Sequence, residues 1–330
     1  MGSIRTEPVA GPVAWSGAEL AADDRWIVRL SHADVVELER VARGALARRR
    51  PLESLTRADF PFDAVGPTVA ALAKELDAGR GFALVRGLPV ERYDDALLAA
   101  MYWGIGTHLG TAIPQNARGD LLGHVRDEGL TLDNPLARGY QTRAAQSLHV
   151  DRCDVVGLLC YRKARRGGLS RIVSSMRIYN ELLARAPWYV GVLYKPFAID
   201  MRGEERPGEE PVYYRPVFSY HAGVLSCGCN YTYIRDGQKK IGRPLTAVET
   251  EALDLFYEIA EELVLTMDLE PGDMQFLNNY VILHDRTAYD DEDEPDRKRH
   301  MLRLWLDVPE RRPLAPDFGT YTFAPVPAHA

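Results

Sequence analysis

From about residue 106 to residue 308 the chain is divided into short runs rich in Val, Leu, Ile, Tyr and Phe, each bounded by glycine, proline or charged clusters. Many short, closely spaced runs of this kind, with few helices among them, point to a closed or sandwiched β architecture. Strand candidates fall at 147–162, 171–174, 191–199, 212–219, 223–234, 274–277, 281–284 and 300–308. One clear helix is expected to interrupt them, over 247–267, with Leu253, Phe256, Ile259, Ala260 and Leu263 at helical spacing. The triplet Pro271-Gly272-Asp273 reads as a turn.

The N-terminal part has a different character. Residues 1–20 are rich in Pro, Gly and Ala and read as a flexible lead-in. Ser31 suits the N-cap of a helix running through Val35, Leu38, Val41 and Leu46, and a second helix follows through Val69, Leu72 and Leu76. Residues 81–87 form an apolar run between glycines, as expected of a buried strand, and another helix passes through Leu97, Leu98 and Met101. The expected organisation is mainly β with flanking α. Residues 21–330 would form a single domain, with helices over about 30–80 and a β core over about 81–310.

A net charge of −7 argues against a nucleic-acid surface, which needs a basic excess to displace phosphate counterions. It leaves room for a small anionic ligand, because a few local arginines create a positive pocket inside an acidic protein. Four cysteines, Cys153, Cys160, Cys227 and Cys229, are too few for a disulfide framework and read as buried thiols in a reducing, cytoplasmic setting. No apolar run approaches the roughly 20 residues of a membrane span. The opening Met1-Gly2-Ser3 fits an N-myristoylation pattern only loosely and reads as part of the tail. The acidic run 290–296 lacks the glycine-centred spacing of a calcium loop and reads as solvated.

Two His-x-Asp triplets occur, and their local structure separates them. His32-Ala33-Asp34 opens a helix, where residues two apart point about 200° around the axis from each other and cannot easily share an ion. His149-Val150-Asp151 opens a strand candidate, where residues i and i+2 face the same side. An imidazole and a carboxylate presented together form two legs of a 2-His-1-carboxylate facial triad, the donor set of non-haem Fe(II) oxygenases; a structural His–Asp hydrogen bond is the plainer alternative. His284, at the end of an apolar strand, is a candidate third ligand, or else a satisfied core histidine. Arg299, at the start of the last strand, has the bidentate cation that the far carboxylate of a chelating 2-oxo acid would require.

The order of His149-Val150-Asp151, Gly167-Gly168-Leu169-Ser170, Pro271-Gly272-Asp273, Asn279 ahead of His284, and Arg299-His300-Met301-Leu302-Arg303 resembles the TauD/TfdA family of Fe(II)/2-oxoglutarate-dependent oxygenases. The resemblance runs from about residue 81 to residue 308, and the first 70 residues add little to it. It implies a double-stranded β-helix (jelly roll) of the clavaminate synthase-like type. Fe(II) would be held by His149, Asp151 and His284, and the co-substrates would be 2-oxoglutarate and O₂. Ser170 stands where the family has a threonine that bonds the distal carboxylate of 2-oxoglutarate; Leu169 replaces the aspartate before it, but the hydroxyl is retained. Arg299 would clamp the same carboxylate. Arg303, an even step along the strand, would meet an acidic group of the primary substrate or act as a second clamp or buried ion pair. Asp151 stands where related halogenases carry a small residue, so oxygenation is implied rather than chlorination.

The polar, glycine-punctuated segment 106–127 is either a lid over the site, with Gln115 and Asn116 as substrate contacts, or an ordinary surface loop. His108 and His124 read as structural. The tyrosines at 213–214 and 231–233 suit either a pocket wall or a homo-oligomer interface. The expected reaction is hydroxylation of a small anionic molecule, amino-acid-like or a natural-product intermediate. Desaturation or cyclisation at the same site, or non-catalytic binding by a cupin-like protein, are the alternatives.

Overall fold

A computed structural model of the chain describes residues 3–116, 118–131, 138–205, 208–308 and 311–318. The Met1-Gly2 pattern and the far end of the 21–330 domain range set out above lie outside them.

The largest sheet has seven strands, and its spine is an antiparallel ladder of Phe82–Arg86, Met274–Asn278, Val155–Arg162 and His300–Asp307. Ile27–Arg29 adds a parallel edge to Phe82–Arg86, and Thr111–Ala112 and Leu122–Val125 both pair with the outer side of His300–Asp307. A second sheet of three antiparallel strands consists of Leu265–Met267, Ser170–Ser174 and Ile282–Arg286. Further ladders join Pro196–Asp200 to Val212–Pro216 and Phe218–His221 to Val224–Cys227. The expected two-sheet β architecture is present, although no continuous ladder closes a barrel among the described residues.

Strand alternation divides the core in two. On His300–Asp307, Met301 and Trp305 join the cluster between the two sheets with Val156, Cys160, Ile172 and Leu277. The intervening Leu302, Leu304 and Leu306 face the other way, onto N-terminal helical residues Leu38, Phe60, Leu72, Leu98 and Trp103. The expected helices carry this outer layer: His32–Leu46, capped by Ser31 with Asp34 completing a capping box, then Gly66–Ala78 and Asp95–Leu109.

Several expectations are corrected. The run 147–162 is not one strand: the ladder begins at Val155, and His149 sits in isolated bridges to His284 and Asn230. Residues 151–154 leave the ladder because their polar backbone is taken up elsewhere, with the Asp151 N–H donating to Asn279 Oδ1 at 3.2 Å and the Asp154 N–H to the Leu306 carbonyl at 3.1 Å. Among the described residues four helices, not one, lie among the later strands: Ser175–Arg185, Pro187–Leu193, Tyr231–Lys240 and Ala247–Leu263. Local signals start them, with Ser174 and Asn230 as side-chain caps and Pro187 in the first turn. These helices cut short the strands expected at 191–199 and 223–234. The lead-in is also tied down where it is described. Val9 exchanges hydrogen bonds with the Asn180 amide at 2.7 and 2.8 Å, and the Trp15 indole donates to the Arg80 carbonyl at 2.9 Å. No described helix is long and apolar enough to cross a membrane.

Candidate active site

Three side chains converge where the two sheets meet. His149 and His284 exchange backbone hydrogen bonds in both directions, at 3.0 and 2.9 Å, so the two imidazoles leave adjacent backbones side by side. Their ring centroids are 4.6 Å apart. Asp151 lies two residues beyond His149, and its carboxylate is 3.7 Å from His149 Nε2 and 3.6 Å from His284 Nε2. The three donor atoms lie within 4.8 Å of one another, close enough for one ion to draw them together.

The surroundings prepare these groups to bind metal. His149 Nδ1 is 2.8 Å from the Ser147 carbonyl, which favours the tautomer with the Nε2 lone pair turned toward the cluster. Burial, reinforced by the neighbouring His284, pushes the His149 imidazole down to about 4, so it is neutral near pH 7. Burial alone would raise the Asp151 carboxyl, but the hydrogen bond and charge of His284, with Arg303 nearby, hold it well below the usual carboxylate range. The Trp305 indole N–H donates to Asp151 Oδ2 at 2.9 Å, and Asn279 fixes the backbone on either side by bonding the Asp151 N–H and the Cys153 carbonyl. Two imidazoles and a carboxylate on one side of an open cavity fit Fe(II) with positions to spare.

A second group of polar side chains lies along the smaller sheet. The Ser170 hydroxyl donates to Gln275 Oε1 at 3.1 Å, and Ser170 is the register partner of Arg286. Arg299 stands just before its strand, with its backbone N–H donating to Asp291 Oδ1 at 2.6 Å and its guanidinium 5.1 Å from the centroid of the Tyr289 ring. Arg286 stacks on the same ring at 4.6 Å and spends its donors on backbone carbonyls, among them those of Thr142 and Thr287. Arg299 Nη1 is buried with no hydrogen-bond partner among the described residues. A buried, orphaned donor on a cation fits one end of a dicarboxylate. Asp291, expected to be solvated with the rest of the acidic run, is buried because it holds this backbone.

The cavity over His149 and Asp151 has a volume of about 190 Å³ and is lined by five arginines, Arg138, Arg152, Arg202, Arg215 and Arg303. Tyr140, Tyr213, Tyr233 and Trp305 supply its aromatic walls. Of the tyrosines expected at a pocket or an interface, Tyr213 and Tyr233 line this cavity, while Tyr214 is exposed and the Tyr231 hydroxyl bonds Asp254. Arg303 is gripped between the Tyr140 and Trp305 rings at 4.8 and 5.0 Å. Gln115 does not line the cavity; it accepts from Arg303 Nε at 2.6 Å and so aims that side chain. Asn116 also lies off the cavity and bonds Asp120 within its own loop. His108 contacts the Phe60 carbonyl and His124 pairs with His300, both outside the cluster. Sequence reasoning missed Trp305, Tyr140 and Arg215, which carry no motif and acquire a role only through the fold.

The comparisons with known proteins agree with this arrangement. Residues 48–305 match the family model of the taurine catabolism dioxygenase TauD, TfdA family. The chain belongs to the TauD/TfdA dioxygenases. This dioxygenase is 37% identical to FR-33289 synthase of Streptomyces rubellomurinus (strain ATCC 31215) over 327 residues, covering 97% of this chain and 96% of the synthase. Its fold is similar to that of asparagine oxygenase in complex with Fe(II), 2S,3S-3-hydroxyasparagine and succinate, at TM-score 0.68 and 19% identity, covering 86% of this chain and 93% of the oxygenase. The non-heme iron oxygenase OrfP, in complex with Fe and alpha-ketoglutaric acid, gives TM-score 0.63 at 13% identity, covering 85% and 94%. The expected jelly-roll fold class and the Fe(II)/2-oxoglutarate-dependent enzyme class both stand.

Proposed function

We propose that this TauD/TfdA dioxygenase holds Fe(II) through His149, Asp151 and His284, binds 2-oxoglutarate through Arg299 and Ser170, and hydroxylates a small anionic molecule seated in the arginine-lined cavity. The observation that carries the reading is the convergence of the three donor atoms within 4.8 Å on two bridged backbones at the cavity floor. The packing of both the outer helices and the inner cluster on one seven-stranded sheet supports a single oxygenase domain over 21–330.

When bound, iron supplies the activation of O₂ that is coupled to decarboxylation of 2-oxoglutarate to succinate and CO₂. The protein's contribution is placement. Ser147 keeps the His149 lone pair inward, and Trp305 and Asn279 hold Asp151, so the carboxylate does not swing away. Arg299, with no acid on its side chain among the described residues, would take the distal carboxylate of 2-oxoglutarate, and Ser170 would turn its hydroxyl proton from Gln275 Oε1 to the same carboxylate. Arg303, held between two rings and oriented by Gln115, would draw the anionic end of the primary substrate over the metal side of the cavity.

The test is an anaerobic titration of the Fe(II)-loaded protein with 2-oxoglutarate, following the visible metal-to-ligand charge-transfer band, with His149→Ala and Arg299→Ala alongside. The reading requires a saturable band that is absent in the first variant and shifted to much higher 2-oxoglutarate concentrations in the second. A wild-type protein that binds iron without developing the band would refute it.

A further inference from the structure

The balance of charge around the cavity is uneven. Arg138 and Arg152 share one carboxylate, that of Glu204. Arg202 is paired with Asp236 at 3.2 Å and Asp200 at 3.8 Å. Arg303 has Gln115, a neutral partner, on Nε, and its stacking partners are rings. Arg215 has no carboxylate partner among the described residues; its guanidinium lies 5.0 Å from the Phe318 ring centroid and against the backbone of Gly228. A Cβ at residue 228 would stand 2.0 Å from Arg215 Nη2, so the glycine is what lets the cation lie there. Arg215 and Arg303 are only 4% and 9% exposed.

Two buried guanidinium groups therefore line one small cavity, and among the described residues neither is in ion-pair contact with a carboxylate. Desolvated cations of this kind are costly until an anion arrives. The described lining contains one acid, Asp151, which the metal cluster uses. Among the described lining residues, no other carboxylate remains to receive an ammonium group.

From this we infer that the primary substrate brings a doubly charged tetrahedral oxyanion, a phosphonate or a phosphate monoester, to Arg215 and Arg303, and that it is not a free α-amino acid. The inference rests on the proposed reading of the cavity as the substrate site. Arg215 is the specificity-determining residue. A carboxylate or sulfonate neutralises one guanidinium, whereas a dianion neutralises both and has oxygens for the planar forks of the two arginines.

The probes are propylphosphonate, propyl phosphate, propanesulfonate, butyrate and norvaline, titrated calorimetrically and without oxygen into the protein loaded with Fe(II) and 2-oxoglutarate. The two dianions are expected to bind at least about tenfold more tightly at pH 8 than propanesulfonate or butyrate, with norvaline weakest. Propyl phosphate affinity is expected to fall about tenfold between pH 7 and pH 5, as its second proton (pKa about 6) returns, while propanesulfonate stays level. Arg215→Gln should erase the preference for the dianions, and Arg215→Lys should retain part of it. Equal affinity for phosphate and sulfonate in the wild type, or tighter norvaline binding, would overturn the inference, and this panel decides the matter even if the Arg215 variants fail to fold. Loss of preference while the charge-transfer band still forms sinks only the dianion assignment. Absence of the band sinks the underlying functional reading.

Discussion

At the scale of single residues, the groups that differ most in expected effect are Arg299, Ser170 and Trp305. Arg299 would contribute charge-assisted hydrogen bonds to 2-oxoglutarate, worth about 1.5–3 kcal/mol, so Arg299→Leu is expected to raise the 2-oxoglutarate dissociation constant about ten- to a hundredfold. Ser170→Ala removes one hydroxyl donor whose bond to the carboxylate is offset by the bond it gives up to Gln275, about 1 kcal/mol net, and should raise it only several-fold. Both are read from the midpoint of the charge-transfer titration, and a larger effect at Ser170 than at Arg299 would reverse the assignment. Trp305→Phe keeps the aromatic wall but withdraws the indole donor from Asp151. Such supporting bonds typically carry ten- to a hundredfold in metal affinity, so Fe(II) binding should weaken by about tenfold with little change in the melting temperature. An equal loss of stability and affinity would instead make Trp305 a packing residue.

At the scale of elements, the edge strand Leu122–Val125 and the C-terminal strand place His124 and His300 in contact, with ring nitrogens 2.8 Å apart. Burial lowers both, His300 to about 4, and each imidazole pushes against charge on its neighbours. The unfolded chain titrates histidine near 6.5 and so binds more protons than the native state between about pH 4 and 6.5. Stability contributed by these neutral histidines is therefore fully present above about pH 6.5 and declines as pH falls toward 4. Denaturant midpoints measured across that range should drop with acidity in the wild type and drop less in His300→Gln. A slope that is unchanged in the variant would remove His300 as its source. The turn 271–273 makes a similar link: Asp273 is buried and takes a bidentate pair from Arg86 on Phe82–Arg86, at 2.8 and 2.6 Å. Arg86 is about one-third exposed, which limits the effect of losing the pair.

At the scale of the whole molecule, the seven-stranded sheet is the common wall of two cores, and the helix His32–Leu46 covers part of its outer face. That helix precedes the span matched by the family model, which begins at residue 48, yet Leu38, Val41, Ala42 and Ala45 are buried on it. Deleting residues 1–46 should therefore expose the apolar faces of Leu98 and Met101 and yield an aggregating or molten protein, seen as loss of a cooperative thermal transition. A cooperatively folding deletion variant would show the helix to be an appendage.

Where residues two apart, a cap or a turn carry the signal, the sequence alone was enough. His149-Val150-Asp151, the Ser31 cap and the even spacing of Arg299 and Arg303 are local facts, although the ladder shifts register between His300 and Met301. The convergence of His149 and Asp151 was legible for that reason, although the strand assigned to them was wrong: the His149 segment is held by a bridge to His284, not by a ladder of its own. The cavity was not legible. Arg215, Tyr140 and Gln115 lie on separate elements whose juxtaposition depends on how the two sheets and their connecting helices pack. Two of the three donors form a short-range pattern that a chain can write into three adjacent residues, whereas the third, His284, is brought to them by the bridge to His149. Recognition of a substrate depends on which buried charges are left without partners, and only the assembled tertiary structure determines that.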